Sequence, residues 1–237
     1  MINMIKNHYL FFLVLCLIFI CGCGIFGGEK YDVDKLGIPK FVAVDYIELS
    51  KITKISRFRS GIGHDYSDDF EDCRSMKHYF VPYADSDWSS VKIFSPVSGK
   101  IEKIFEEWAG TQLWIVPDDY PAFKFIIFHI NLSTPLAKGD VVSAGQQLGT
   151  HISAETSSDI AVGINTPDGW KLVSYFDVMT DALFEKYQAR GVNTRNAAII
   201  SKEERDADPL VCSEEGGVFI GEGNIENWVY LQNPDRG

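Results

Sequence analysis

A few polar residues stand out against the chain's β-rich background. His129 sits in the largely apolar run "FKFIIFHINL", which gives it no other obvious partner. Upstream, "SGIGHDYSDD" (Ser60–Asp69) gathers His64, Asp65, Asp68 and Asp69, and "EDCRSMKHYF" continues it with Arg74, Lys77 and His78. Such a run can line a pocket for a polar ligand. It can equally be a surface loop closed by local Asx turns and pinned at Cys73. Downstream, "SSDIAVGI" (Ser157–Ile164) reads as a strand with unequal faces. Ile160, Val162 and Ile164 point to a core, while Asp159, Ala161 and Gly163 form a nearly bare face. Asp159 is either part of a site, what remains of one, or an ordinary surface carboxylate.

The elements that would hold these residues are short β runs. "VKIFSPVSGKIEKIFEE" holds two strands around a turn at Ser95–Gly99, "TQLWIVPDD" is a strand stopped at Pro117, and Phe123–Leu132 reads as a central strand. "AKGDVVSAGQQLGTHI" carries two glycine turns and two strand edges. "PDG" at Pro167–Gly169 is a hairpin signal before "WKLVSYF". Phe41–Leu49 reads as a first strand. Phe176–Gly191 has helical spacing with a stop at Arg190–Gly191, and "SKEERDADPL" allows one helical turn. "FIGEGNIENWVYL" is expected to return a strand, with Trp228 and Tyr230 packing back. Runs so short and regular predict an antiparallel barrel or sandwich with one helix appended. With 237 residues, 46% hydrophobic content and a formal net charge of −11, the chain can build a core. The same charge speaks against nucleic-acid or anionic-lipid partners.

The N-terminus reads separately. Lys6 precedes an apolar run from Leu10 to Ile20, too short for a comfortable membrane span and suited to a secretory signal. "ICGC" (Ile20–Cys23) resembles a bacterial lipobox. That resemblance implies cleavage before Cys23, lipidation of Cys23 and an extracytoplasmic location, at the outer membrane if there is one. An uncleaved anchor is the alternative. Residues 1–22 are then the signal and 23–40 a Gly-containing tether. Cys16 and Cys21 leave with the signal, so Cys73 and Cys212 remain for one disulfide.

"SPVSGKI" followed about fifty residues later by "AKGDVVSAGQQLG" resembles the barrel-hybrid folds: M23 (lysostaphin- and LytM-like) peptidases, biotinyl or lipoyl carriers, and glucose-type phosphotransferase IIA domains. The resemblance spans about Ser56 to Tyr175. A carrier needs a lysine at a hairpin tip, and a IIA domain needs facing histidines in the cytosol; the lipobox opposes both. The M23 likeness implies a mainly β barrel-sandwich hybrid (duplicated hybrid motif), antiparallel, over residues 41–175, with residues 176–237 as a C-terminal helix and tail packed on it.

Members of that family hold zinc through a His-x-x-x-Asp pair and the second histidine of a His-x-His pair, with a strand histidine assisting. On this chain His129 matches the strand histidine, which makes it the candidate catalytic residue. His64 and Asp68 match the early pair by spacing but lack the intervening glycine. A second register, through Gly63, Asp65 and Tyr66, keeps the turn and puts Gly61 where the histidine belongs. In the late pair Asp159 replaces the first histidine and Ala161 the second, the zinc ligand. His64, Asp68 and Asp159 are therefore the candidate metal residues of a degenerate site, with no cofactor expected unless zinc is retained there. His151 is a remote substitute ligand. Asp65, His64, His129 and Asp159 are the candidate ligand groove, joined less firmly by Trp108, Trp114 and Tyr120. The resemblance implies a non-catalytic envelope lipoprotein that binds peptidoglycan, another glycan or peptide, or an envelope protein. The alternatives are an active zinc metalloendopeptidase cutting peptidoglycan crosslinks and a structural scaffold lipoprotein.

Overall fold

A computed structural model describes residues 28–215 and 217–233. The expected signal and the expected lipidation site, Cys23, lie outside the described residues. No helix among the described residues is long and apolar enough to cross a membrane.

The chain folds as mainly antiparallel β structure with few helices. In chain order come α1 (Val33–Leu36), β1 (Ile52–Ser56), β2 (His78–Pro82), β3 (Lys92–Phe94), β4 (Gly99–Glu107), β5 (Gly110–Pro117) and β6 (Phe123–Leu132). They are followed by β7 (Val141–Val142), β8 (Gln147–His151), β9 (Ser158–Asn165), β10 (Trp170–Val173), α2 (Tyr175–Val178), α3 (Asp181–Gln188), α4 (Lys202–Ala207) and β11 (Trp228–Tyr230). The main path of the sheet runs β11-β1-β2-β9-β6-β5-β4-β7, with β10 on β9 and β8 between β3 and β6.

The strands β6 and β9 form the centre, in register through Ile126 opposite Ala161 and Ile127 opposite Ile160. Both are buried on two faces, so successive residues feed two cores. Phe125, Ile127, Ile160 and Val162 join a large cluster with Tyr46, Ile55 and Phe176. Ile126, Phe128 and Ala161 join a smaller one with Phe58, Met76 and Leu172. The face of β9 expected to be bare is therefore covered. Trp170 lies over Gly163, where an added Cβ would fall 1.9 Å from the indole, so only glycine fits.

Three further expectations are corrected. The segment 28–40 does not hang free as a tether: Val33 is buried in the large cluster, and Tyr31 packs edge-on against Phe123 at 5.3 Å. The first strand expected at Phe41–Leu49 is irregular chain, with isolated bridges from Val42 to Met179 and from Ile47 to Ile93 of β3. The helix expected over 176–191 is two, α2 and α3. Thr180 interrupts it because its hydroxyl accepts from Leu183 N, which starts a new helix. The charged segment forms α4, closed by a capping box of Ser201 and Glu204, and β11 returns to β1.

The C-terminal arm closes over the β1–β2 loop. Cys73 and Cys212 form a disulfide, Asp65 N donates to Gly217 O (2.8 Å), and His64 bridges Val218. Inside that loop Glu71 accepts from Arg59 and Arg74, and Arg74 also reaches Asp206, next to the arm.

Candidate functional site

The polar residues singled out from the sequence converge, in part, on a cleft of about 410 Å³. The β1–β2 loop supplies Gly63, His64 and Tyr66. The β4–β5 turn supplies Glu107 and Trp108, β6 supplies Phe128 and His129, and Lys77 and Tyr79 come from the edge of β2. Gly63 has φ +79°, and a Cβ there would fall 2.0 Å from Tyr79 Oη, so the loop approaches the floor only because this residue is glycine.

The floor is ionic. Lys77 is 2% exposed, and its ammonium forms an ion pair with Asp159 Oδ2 at 2.5 Å; the Asp159 side chain is fully buried. The same Nζ lies 3.5 Å from His64 Nε2. His64 donates through Nδ1 to Asp65 O (2.8 Å), which leaves Nε2 to accept from the lysine. The rings of Phe128, Tyr79 and Tyr66 surround the ammonium, with centroids at 4.2, 4.9 and 5.0 Å. Burial alone would push the Lys77 pKa down, but the Asp159 charge beside it wins and holds it above the ordinary lysine range. Burial likewise pushes Asp159 up, and the Lys77 charge with the His129 contact brings it below the ordinary aspartate value. The pair is ionised.

His129 is the third member. Its Nε2 lies 3.2 Å from Asp159 Oδ1 and its Nδ1 3.1 Å from Ala109 O. Both neighbours only accept, so both ring nitrogens donate and the imidazolium is favoured. Burial pushes the His129 pKa down, and the Asp159 contact more than offsets it, leaving a net rise. The backbone aims this ring at a cost. The pairs Thr111 with Ile130 and Leu113 with Ile127 leave Phe128 and His129 together opposite Gln112, a bulge, and His129 takes φ 61°. A left-handed conformation at a non-glycine residue inside a central strand is strain of the kind found at functional sites.

Other candidates lie elsewhere. Asp68 accepts from Phe70 N (2.9 Å) and Leu172 N (2.8 Å), which ties the loop to β10 and takes the carboxylate away from the cleft. Asp65 accepts from Ser67 Oγ (2.5 Å) and Arg74 N (3.1 Å), an Asx-type loop staple. His151 is buried behind the cleft with Nε2 on Thr156 O (2.8 Å) and does not stand in for the residue missing at Ala161. Trp114 stacks on Trp170 at 6.0 Å and Tyr120 on Phe41 at 4.3 Å, both as packing. Trp108 alone of the three aromatics reaches the cleft, and it is 82% exposed. Sequence reasoning placed Lys77 only within a run that could line a pocket, gave it no role at the site, and passed over Glu107. The signal for Lys77 was present in "SMKHYF", a lone lysine among residues of strand character.

Comparison with known proteins returns limited likeness. No family model and no curated protein matches this chain. Among solved structures it is similar to a protein from Ruminococcus gnavus described as a glycyl-glycine endopeptidase, lytM (16% identity, 43% of each chain, TM-score 0.34). It is also similar to the catalytic domain of lysostaphin from Staphylococcus simulans (22% identity, 33% of this chain and 68% of that one, TM-score 0.25). A third is the SpoIIQ–SpoIIIAH pore-forming complex (12% identity, 63% and 96%, TM-score 0.37). The chain thus spans less than half the length of the first of these.

A zinc ion can be tested against the cleft directly. Zinc needs three ligands with lone pairs directed at one point about 2 Å away. Asp159 and His64 do converge on one point, and that point holds the Lys77 nitrogen. Asp68 is committed to backbone amides, Ala161 carries no donor, and His129 already gives Nε2 to Asp159. The residues present do not fit the metal. Among the described residues no group of three or more His, Cys, Asp or Glu is placed to hold one.

Proposed function

We propose that this chain is a divergent M23-like domain of a bacterial envelope lipoprotein, lipidated at Cys23, whose cleft binds an envelope ligand without cleaving it. The ligand classes are peptidoglycan, another glycan or peptide, or an envelope protein. The observation that carries this reading is the Lys77–Asp159 pair. A lysine ammonium neutralises the carboxylate that would otherwise attract a cation, and it offers no vacant coordination position at which water could ionise. His129 keeps a strained, aimed geometry, which has a use in binding even where no metal-bound water is present. The Cys73–Cys212 disulfide suits an oxidising compartment and holds the arm that borders the cleft.

The test uses the full chain with purified peptidoglycan sacculi. Retention on sacculi, no release of soluble fragments and no zinc by elemental analysis are the expected results. Hydrolysis that stops on chelation, with one equivalent of zinc, refutes the reading in favour of the active peptidase. Absence of retention, unchanged by substitution in the cleft, favours a scaffold.

A further inference from the structure

The cleft does not end at Gly63. A second depression of about 470 Å³ shares that residue and continues along the C-terminal arm past Ile62, Phe219, Glu222 and Trp228. Each compartment offers aromatic rings and one exposed carboxylate, Trp108 with Glu107 in the first and Phe219 and Trp228 with Glu222 in the second.

Three observations narrow what such a groove takes. First, the ionised groups of the first compartment cancel: Lys77 and the His129 imidazolium face Asp159 and Glu107. A charged ligand finds no net complement there, and the chain's overall −11 repels a polyanion. Second, the strands that floor the first compartment have no free edge. β2 lies between β1 and β9, β9 between β2 and β6, and β6 between β9 and β5, so an extended peptide cannot add there as a further strand. Third, Trp108 stands 82% exposed at the tip of the β4–β5 hairpin, beside the cleft instead of in a core. An exposed indole next to a carboxylate acceptor suits a ring that presents C–H on its face and hydroxyls on its rim.

Resting on the reading of this cleft as a binding site, we infer that the continuous groove from Trp108 past Gly63 to Phe219 and Glu222 binds a neutral, linear oligosaccharide, one sugar segment in each aromatic–carboxylate compartment.

The probes are chitobiose and chitotetraose, titrated into the full chain by calorimetry, with pentaglycine as the peptide control. Chitotetraose is expected to bind more tightly than chitobiose, and pentaglycine not to bind. Trp108→Ala, at an exposed position, is expected to weaken both sugars at least tenfold with the melting temperature unchanged. Glu222→Gln is expected to weaken chitotetraose several-fold and leave chitobiose as it was. Sugar binding that ignores Trp108→Ala overturns the inference. So does retention on sacculi with pentaglycine binding and no sugar binding, an outcome that leaves the proposed function standing. No retention on sacculi and no binding of any probe overturns both.

Discussion

Replacing Lys77 by methionine is the sharpest perturbation of this fold, because it removes one charge and little volume. In the native chain the Lys77 ammonium lies 2.5 Å from an Asp159 carboxylate that is fully buried. After Lys77→Met that carboxylate retains only His129, at 3.2 Å. Removing one partner of a buried ion pair costs roughly 3–5 kcal/mol, mostly because a charge is left without compensation. The His129 contact puts the expected loss near the lower end, about 3 kcal/mol. For a chain of this size that lowers the melting temperature by about 6–12 °C. The pH dependence changes sign as well. In the native chain the folded Asp159 pKa lies below the ordinary 3.8, so its contribution is present above the unfolded value and is lost as pH falls through the folded one. In the variant burial dominates and the folded pKa rises above the unfolded one, so stability increases as pH falls from 7 towards 4. The double variant Lys77→Met/Asp159→Leu removes both charges and is expected to recover most of the loss. Urea denaturation at pH 7 and pH 5 measures all three. A single variant within 1 kcal/mol of native, or a double variant as unstable as the single, refutes the claim that this pair organises the cleft.

Asp159→Asn removes the charge that holds the His129 imidazolium, so the His129 titration followed by NMR is expected to move from above the usual histidine value to below it. Unchanged titration contradicts the assigned contact. Asp45, half-buried against the Tyr187 and Tyr175 hydroxyls, is pushed up to about 6 by loss of water around its carboxylate. The folded chain therefore binds a proton between 3.8 and about 6 that the unfolded chain releases, and stability falls by about 3 kcal/mol as pH rises through that window. Asp45→Asn is expected to flatten that slope in denaturant melts. Replacing Cys73 and Cys212 by serine is expected to cost about 2–4 kcal/mol and to speed hydrogen exchange at Asp65 N and Ile220 N, whose partners lie on the arm and the segment beside Cys212. Equal exchange rates in both forms contradict the clamp.

Strand positions were legible because turn residues and alternation are local properties. The β6 bounds at Phe123 and Leu132 and the hairpin at Pro167–Gly169 follow from the residues themselves. The pairing of Cys73 with Cys212 was likewise expected, as the two cysteines beyond the N-terminal segment. What stayed hidden depends on contacts distant in sequence. Val33 reads as part of a tether until the rest of the core is there to bury it. Asp68 has the spacing of a ligand, but its carboxylate is captured by Leu172 N, more than a hundred residues away. The bare face of β9 was misread for a related reason: small residues on a strand mark either an open surface or a place where large neighbours come close. Trp170 over Gly163, and Ala161 in the small core with Phe128, make it the second. The ionic role of Lys77 was illegible because a lysine in a strand ordinarily faces water. Only the tertiary placement of Asp159 gives its ammonium a buried partner.

A cleft that carries its cation on a side chain behaves differently from one that borrows a metal. A bound zinc polarises water because a coordination position stays open, and the site exists only when metal is supplied. The Lys77 ammonium has three protons and no empty orbital, so it organises acceptors without activating them. It draws His64 from the loop and Asp159 from β9 to one point, and Asp159 in turn orients His129 at the bulge. Geometry that a metal could impose is thus built into the chain, with the surrounding aromatic rings lowering the cost of burying the charge. The strain at His129 fits this account, since a left-handed residue persists only where its neighbours over-determine it. Asp159 and the carbonyl of Ala109, one on each ring nitrogen, do that here. The cleft holds its shape independently of metal, as a site that recognises a ligand by form requires.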